Sequence, residues 1–189
     1  MGILNRKAND KLNLVANIYS NALNGYWKTG YDGFLCKKVY FDNLYFLKEL
    51  KMSYLLKDRF FARSYDLVFE FEIPAIFNEN MKFKLCYLGK TKVDGAQFSI
   101  LNGNQEAASI LEKLNNPLII SRLVKLDLLN LNLEYSIRKK RWYIRTDSLI
   151  GSTTWNLIPP ALQVIKPKEK ECVFMIELFE LIANALRDN

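Results

Sequence analysis

Tyr65-Asp66-Leu67-Val68-Phe69-Glu70-Phe71-Glu72-Ile73 and, after a short break, Met81-Lys82-Phe83-Lys84-Leu85-Cys86-Tyr87 decide the fold. In the first run Tyr65, Leu67, Phe69, Phe71 and Ile73 alternate with Asp66, Val68, Glu70 and Glu72. In the second, Met81, Phe83, Leu85 and Tyr87 alternate with Lys82, Lys84 and Cys86. A period of two is that of a half-buried strand, so both runs are expected to be strands. Read as one hairpin with Ile73 opposite Met81, they place Phe71 on Phe83 and Phe69 on Leu85, with Glu72 across from Lys82 and Glu70 across from Lys84. A slip of one residue sets charges against aromatics, so this register is the expectation. Glu70 and Glu72 are also the nearest approach to a paired-carboxylate site for acid and base work. A lysine across the strand from each assigns them instead to solvent-face ion pairs.

Working upstream, residues 8–24 carry Leu12, Val15, Ile18, Tyr19, Ala22 and Leu23 at helical spacing and stop before Gly25, which predicts a helix that either joins the domain or extends from it as an arm. Asn5, Asn9, Asn13, Asn17 and Asn21 recur every fourth residue on its other side, expected to be a solvated face. Gly33 to Phe41 reads as a short strand. Asp42 then stands as an N-cap before Leu44, Leu47, Leu50, Tyr54 and Leu55, the spacing of a second helix.

Downstream, Gln97 to Leu101 reads as a strand, and a helix follows through Ala107, Ala108, Ile110, Leu111 and Leu114. Asn116-Pro117 opens another helix over about residues 118–128, with proline at the first helical position. A second hairpin sets Leu131, Leu133, Tyr135 and Ile137 against Trp142 and Ile144, with Ile137 on Trp142 if Lys139-Lys140 forms the turn. Lys-Lys is not the Asn-Gly type favoured by two-residue turns, so a longer loop stays open. Residues 148–160 keep neither period throughout and read as a connection. Pro167 to Leu186 is a helix with an unusually broad apolar surface, leaving Glu177, Glu180 and Asn184 for solvent. Strands and helices do not alternate as in a parallel sheet. The expected class is α+β, a mainly antiparallel sheet with two hairpins packed against about five helices in a single domain over residues 1–189.

Composition narrows the chemistry. With 189 residues, half of them hydrophobic, and 12 Phe, 10 Tyr and 3 Trp, the chain has the apolar surface for a substantial core. It contains no histidine, which removes Ser-His-Asp and Cys-His catalysis and every His-containing metal site. Cys36, Cys86 and Cys172 are too far apart for a Cys-x-x-Cys pair, and no phosphate-binding glycine loop is present. No cofactor or metal is expected. The odd cysteine count suits reduced thiols, and with no leader or membrane segment read from the sequence the expected location is cytoplasmic. Richness in Asn, Lys, Ile, Tyr and Phe is the composition expected of a bacterial protein from an AT-rich genome.

Three regions offer themselves for function. Arg138, Lys139, Lys140 and Arg141, followed by Trp142, Tyr143 and Arg145, join cations to aromatics in the way that grips phosphates and stacks bases. The net charge of +7 points the same way. That charge is concentrated in residues 1–63, with 11 basic and 5 acidic groups, against 5 and 7 in residues 64–115 and 11 and 8 in residues 116–189. The alternative is a solvated hairpin tip whose aromatics belong to the sheet. Ser152, Thr153, Thr154, Trp155 and Asn156 put hydroxyls, an amide and an indole together as a small polar ligand would require, or plug the edge of a core. Tyr26, Trp27 and Tyr31 make a weaker case of the same kind. Val173, Phe174, Leu178, Phe179, Leu181 and Ile182 form an apolar helix face that is either covered by its own domain or pairs with another chain. The leading expectation is a non-enzymatic cytoplasmic interaction or accessory protein. The rivals are an anion-binding module for nucleic acid or an acidic membrane surface, and an enzyme using Glu, Lys or Tyr chemistry.

Overall fold

The computed structural model describes residues 3–30, 34–59, 62–89, 94–103, 105–126, 128–157 and 160–187. Tyr31 and Gly33, named above, fall outside them. The chain is α+β: a mainly antiparallel nine-stranded sheet with four helices among the described residues. The elements run α1 (Ile3–Ala22), β1 (Tyr26–Thr29), β2 (Cys36–Tyr40), β3 (Glu49–Arg59), β4 (Ala62–Pro74), β5 (Met81–Leu88), β6 (Gly95–Asn102), α2 (Gln105–Leu114), α3 (Pro117–Leu126), β7 (Asn130–Ser136), β8 (Arg141–Leu157), β9 (Pro160–Val164) and α4 (Glu169–Ala185). Strand order is β1-β2-β3-β4-β8-β7-β5-β6, with β9 on β8. The chain gathers into two compact units. One holds Met1–Asn43, Lys48–Phe69 and Asp147–Val173; the other holds Leu44–Leu47, Glu70–Thr146 and Phe174–Asn189.

Four expectations are corrected. The strands at 65–73 and 81–87 both form, but not as one hairpin: β4 lies between β3 and β8, and β5 between β7 and β6. Alternation assigns the faces of a strand and leaves its neighbour open. Lys82 stands opposite Glu134 of β7, their charged groups 3.1 Å apart. The helix expected after Asp42 is strand β3. Its apolar residues satisfy helical spacing, but Leu50, Met52 and Tyr54 also alternate with Lys51 and Ser53, and all three are buried in the sheet. This removes the fifth helix.

The connection at 148–160 is mostly the continuation of β8. Gly151, at φ +91°, donates its N–H to the Ile165 carbonyl at 2.7 Å, while the Ile165 N–H bonds the Ser152 carbonyl at 3.0 Å. Two residues thus oppose one, a β-bulge with glycine at its left-handed position. Beyond it, Thr153 pairs with Val164 and Trp155 with Leu162. Lastly, β7 and β8 are neighbours joined by a turn of four residues, 137–140. Ile137 lies in that turn and is exposed, while Trp142 is fully buried with its ring 5.3 Å from Tyr135 and 5.8 Å from Phe83. Ile137 does not cover Trp142.

In the first unit α1 packs on β1, β2 and β3 through Leu12, Val15, Ala16 and Tyr19. It ends in a left-handed Asn24 at φ 51°, with the Gly25 N–H bonded to the Ser20 carbonyl at 2.8 Å, a Schellman cap. The asparagine row is not wholly solvated: Asn5 accepts from the Tyr65 hydroxyl at 2.8 Å and Asn17 from the Trp27 indole. In the underlying strands Trp27, Val39 and Leu50 stand opposite one another, as do Thr29, Lys37 and Met52, on the face toward α1. Lys28, Lys38 and Lys51 stand opposite one another on the other face, beside Tyr26, Tyr40 and Glu49.

In the second unit α2 and α3 pack against β6 with Ala107, Ile110, Leu114, Ile119, Leu123 and Leu126 buried. Asn116 caps α3, its side chain accepting the Leu118 N–H at 2.9 Å. At the sheet edge Asn115 accepts the Phe98 N–H at 2.8 Å and donates to the Phe98 carbonyl at 3.3 Å. One amide side chain therefore takes the place of a neighbouring strand there.

Candidate functional site

The basic turn is built between β7 and β8. Lys140 adopts φ 50°, and its carbonyl accepts the Ala75 N–H at 3.2 Å, while the Ile137 N–H bonds the Asn80 side chain at 3.0 Å. Both ends of the turn are thereby tied to the segment between β4 and β5. Arg138, Lys139 and Lys140 are exposed on it, and no side-chain ion pair engages them among the described residues.

The four residues that follow are spent differently. Arg141 pairs with Glu72 at 2.9 Å, Arg145 with Glu70 at 3.3 Å, and the Tyr143 hydroxyl donates to Glu70. The carboxylates of β4 are thus held by cations of β8 and not by Lys82 and Lys84. The Arg141–Glu72 pair, exposed on both sides, contributes at most about 1 kcal/mol. Trp142 is core, ringed by Phe77, Phe83 and Tyr135. Of the seven residues named from the sequence, the structure leaves Arg138, Lys139 and Lys140 as a compact group of uncommitted cations.

The Ser152 to Asn156 group lies in the strand. Ser152 and Thr153 are buried. The Ser152 hydroxyl accepts the Leu67 N–H at 2.8 Å and donates to the Ser148 carbonyl at 2.5 Å; Thr153 donates to the Gln163 carbonyl at 2.9 Å. Thr154, Trp155 and Asn156 are half-buried, and the Lys7 ammonium sits 5.2 Å from the Trp155 ring centre. The hydroxyls most available by sequence are engaged within the sheet.

On α4, Leu178, Phe179 and Ile182 are buried and Val173, Phe174 and Leu181 half-buried, so the chain itself covers the apolar face. Two residues of its polar stripe are engaged too, while Asn184 is exposed. Glu177 pairs with Arg122 at 2.8 Å, and Glu180 accepts the N–H groups of Phe46 and Leu47 at 3.2 and 2.9 Å. Arg122 also lies over Phe174, 4.2 Å from the ring centre.

Sequence reasoning passed over two features of the first unit. Lys37 is 2 % exposed, its ammonium 5.5 Å from the Trp27 ring centre. Burial pushes its pKa down, against the opposing pull of Cys36 and Asp10. The second feature is the row Lys28, Lys38, Lys51, invisible until strand register is known. Glu49 reaches Lys38 at 2.5 Å and raises its pKa through that hydrogen bond. Burial also pushes the Cys172 thiol up to about 12 and the neighbouring Tyr19 hydroxyl well above its usual range.

Among the described residues no three His, Cys, Asp or Glu side chains gather to hold a metal, and no helix is long and apolar enough to cross a membrane. Residues 27–186 match a family described as a protein of unknown function, DUF3156. The chain belongs to that family. No curated protein and no solved structure matches it.

Proposed function

We propose that this is a non-enzymatic cytoplasmic binding protein whose partner is a polyanion, engaged by Arg138, Lys139 and Lys140. The observation that carries the reading is the tied turn that presents three exposed cations with no acidic partner among the described residues, on a chain of net charge +7. A pinned backbone lowers the ordering cost of binding, and adjacent cations displace counterions from a phosphate-bearing ligand. The absence of histidine and of any nucleophile motif in the sequence favours binding over catalysis. Self-association through α4 is not part of the reading, because that face is taken up within the chain.

The test compares wild type with the triple variant Arg138→Gln, Lys139→Gln, Lys140→Gln. Fluorescent oligonucleotides and phosphatidylserine-containing vesicles serve as probes over a salt series. Loss of three phosphate contacts lowers the slope of log affinity on log salt by about 2 to 3 for nucleic acid. An unchanged slope refutes the assignment.

A further inference from the structure

We infer that the end of the second unit's sheet on which residues 138–140 stand docks on an acidic lipid bilayer, with the three cations on the headgroups and Ile76, Leu101 and Ile137 entering the layer beneath. The inference rests on the polyanion reading above and names the class of partner. Five strand ends meet there: the ends of β4, β7 and β6 and the starts of β8 and β5. The Ala75 N–H on the Lys140 carbonyl joins β4 to the turn, Met81 stands opposite Tyr135, and Lys82 stands opposite Asn102. Three aliphatic side chains are left in solvent at this end, with Ile76 71 %, Leu101 56 % and Ile137 43 % exposed. Leu101 is the extra residue of a bulge, since Lys82 pairs with Asn102 while Phe83 pairs with Ile100. The backbone that carries them is pinned. The Phe77 N–H bonds the Tyr135 hydroxyl at 3.0 Å, the Ile137 N–H bonds the Asn80 side chain at 3.0 Å, and the Asn102 amide donates to the Asn80 carbonyl at 3.3 Å.

Charge alone does not choose between a nucleic acid and a membrane; the side chains beside the charge do. A single strand is gripped by cations together with aromatic faces on which its bases stack. The rings at this end are instead spent on one another. Phe77 lies 5.2 Å from Tyr135 and 5.9 Å from Trp142, edge to face in both cases, and Tyr135 and Trp142 are buried. What stands in solvent beside Arg138, Lys139 and Lys140 is aliphatic. Such a side chain offers a base no stacking face but enters an acyl layer favourably, and binding to an anionic membrane grows with the apolar area buried and with the cations brought to its surface. The neighbouring carboxylates do not cancel those cations. Glu72 is paired with Arg141 and Glu134 with Lys82, and Glu106 accepts the N–H and the side-chain amide of Asn78 at 3.3 and 3.0 Å. Glu79 is half-buried and has an interaction of its own.

The experiment measures co-sedimentation of the full chain with phosphatidylcholine vesicles, made with and without phosphatidylserine, beside binding to a fluorescent oligothymidylate. Wild type is expected on the phosphatidylserine vesicles and not on phosphatidylcholine alone. The variant Arg138→Gln, Lys139→Gln, Lys140→Gln is expected to bind them about one hundred-fold more weakly, at about five-fold for each cation. The double variant Ile76→Ser, Ile137→Ser is expected to lose about ten-fold or more with its salt dependence unchanged, because apolar area and not charge has been removed. Its thermal midpoint does not fall, since both side chains are exposed, and this controls for folding. Ile76→Trp keeps the affinity, and its added emission over wild type is quenched by lipids brominated in the acyl chain. If wild type binds the phosphatidylserine vesicles and the 138–140 variant does not, but the serine variant binds like wild type and brominated lipid leaves Ile76→Trp unquenched, insertion is refuted and the polyanion reading stands. Preference for the oligonucleotide over vesicles, weakened by the 138–140 variant, refutes the bilayer and also leaves that reading standing. Equal binding to vesicles with and without phosphatidylserine, or no binding to any probe, overturns both proposals.

Discussion

Removing one oxygen at Ser152 tests whether this hydroxyl is structural. In Ser152→Ala the Leu67 N–H loses its acceptor at 2.8 Å and the Ser148 carbonyl loses its donor at 2.5 Å. Leu67 and Ser148 are fully buried and Ser152 is 5 % exposed, so water has no ready access to replace either bond. An orphaned buried backbone N–H costs about 1–3 kcal/mol, and the second lost bond adds about 1. The working figure is about 3 kcal/mol, or about 6–12 °C in Tm for a chain of this size. Urea denaturation of the variant beside Thr153→Val isolates the effect. Thr153 has one side-chain bond shown, to the Gln163 carbonyl at 2.9 Å, and its loss is expected to cost about 1 kcal/mol. The order Ser152→Ala well above Thr153→Val is the diagnostic result. A loss below about 0.5 kcal/mol for Ser152→Ala would refute the bridging role and return the hydroxyl to the pool of ligand candidates.

Other outcomes are equally specific. Asn115→Ala frees both backbone groups of Phe98 at the β6 edge, and size-exclusion chromatography across a concentration series should show more self-association than wild type. Lys37→Met removes a covered ammonium that, among the described residues, has the Trp27 ring and the charges of Cys36 and Asp10 to compensate it; stability should rise by about 1 kcal/mol, read as an upward shift of the urea midpoint. Cys172, with its pKa pushed from 9.0 to about 12, should stay unlabelled by a thiol reagent at pH 8 while half-exposed Cys86 reacts. The folded thiol keeps its proton where the unfolded one loses it, so its stabilising contribution is complete below pH 9 and declines from there to about pH 12; Cys172→Ala should flatten that decline.

The inward face of β4 was legible in the sequence, its neighbours were not, and its other face only at Glu70 and Glu72, since Asp66 and Val68, expected on the polar side of a half-buried strand, are buried as well. The alternation of Tyr65 to Ile73 correctly assigns Phe69 and Phe71 to the core, because burial depends on the residue's own side chain. Pairing depends on complementarity, and Glu70 and Glu72 are as well answered by Arg145 and Arg141 as by lysines of the following strand. Helix α3 was readable because Asn116 and Pro117 are local signals that need no partner. The end of β8 was hidden by its bulge. Trp142, Ile144, Thr146 and Ser148 are buried at even positions, Gly151 and Thr153 at odd ones, and the extra residue reverses the phase. Small hydroxyl residues inside the sheet also removed the apolar marker on which a strand assignment relies. At the candidate site the cationic run was visible, but which of its members were already neutralised required β4 as neighbour. The lysine row needed the register of three strands, since its members lie 10 and 13 positions apart in the chain.

The two hydrogen bonds from Phe46 and Leu47 to Glu180 join positions separated by 134 and 133 residues. During synthesis at roughly 5–20 residues per second, the segment at 44–47 leaves the ribosome about 7 to 27 s before its acceptor exists. Until α4 emerges, two backbone donors have only water to bind. A ribosome-attached chain stalled before Glu180 should therefore be cut by protease near Phe46, and the full-length chain protected there, which makes the last helix the timer for closure of an early segment.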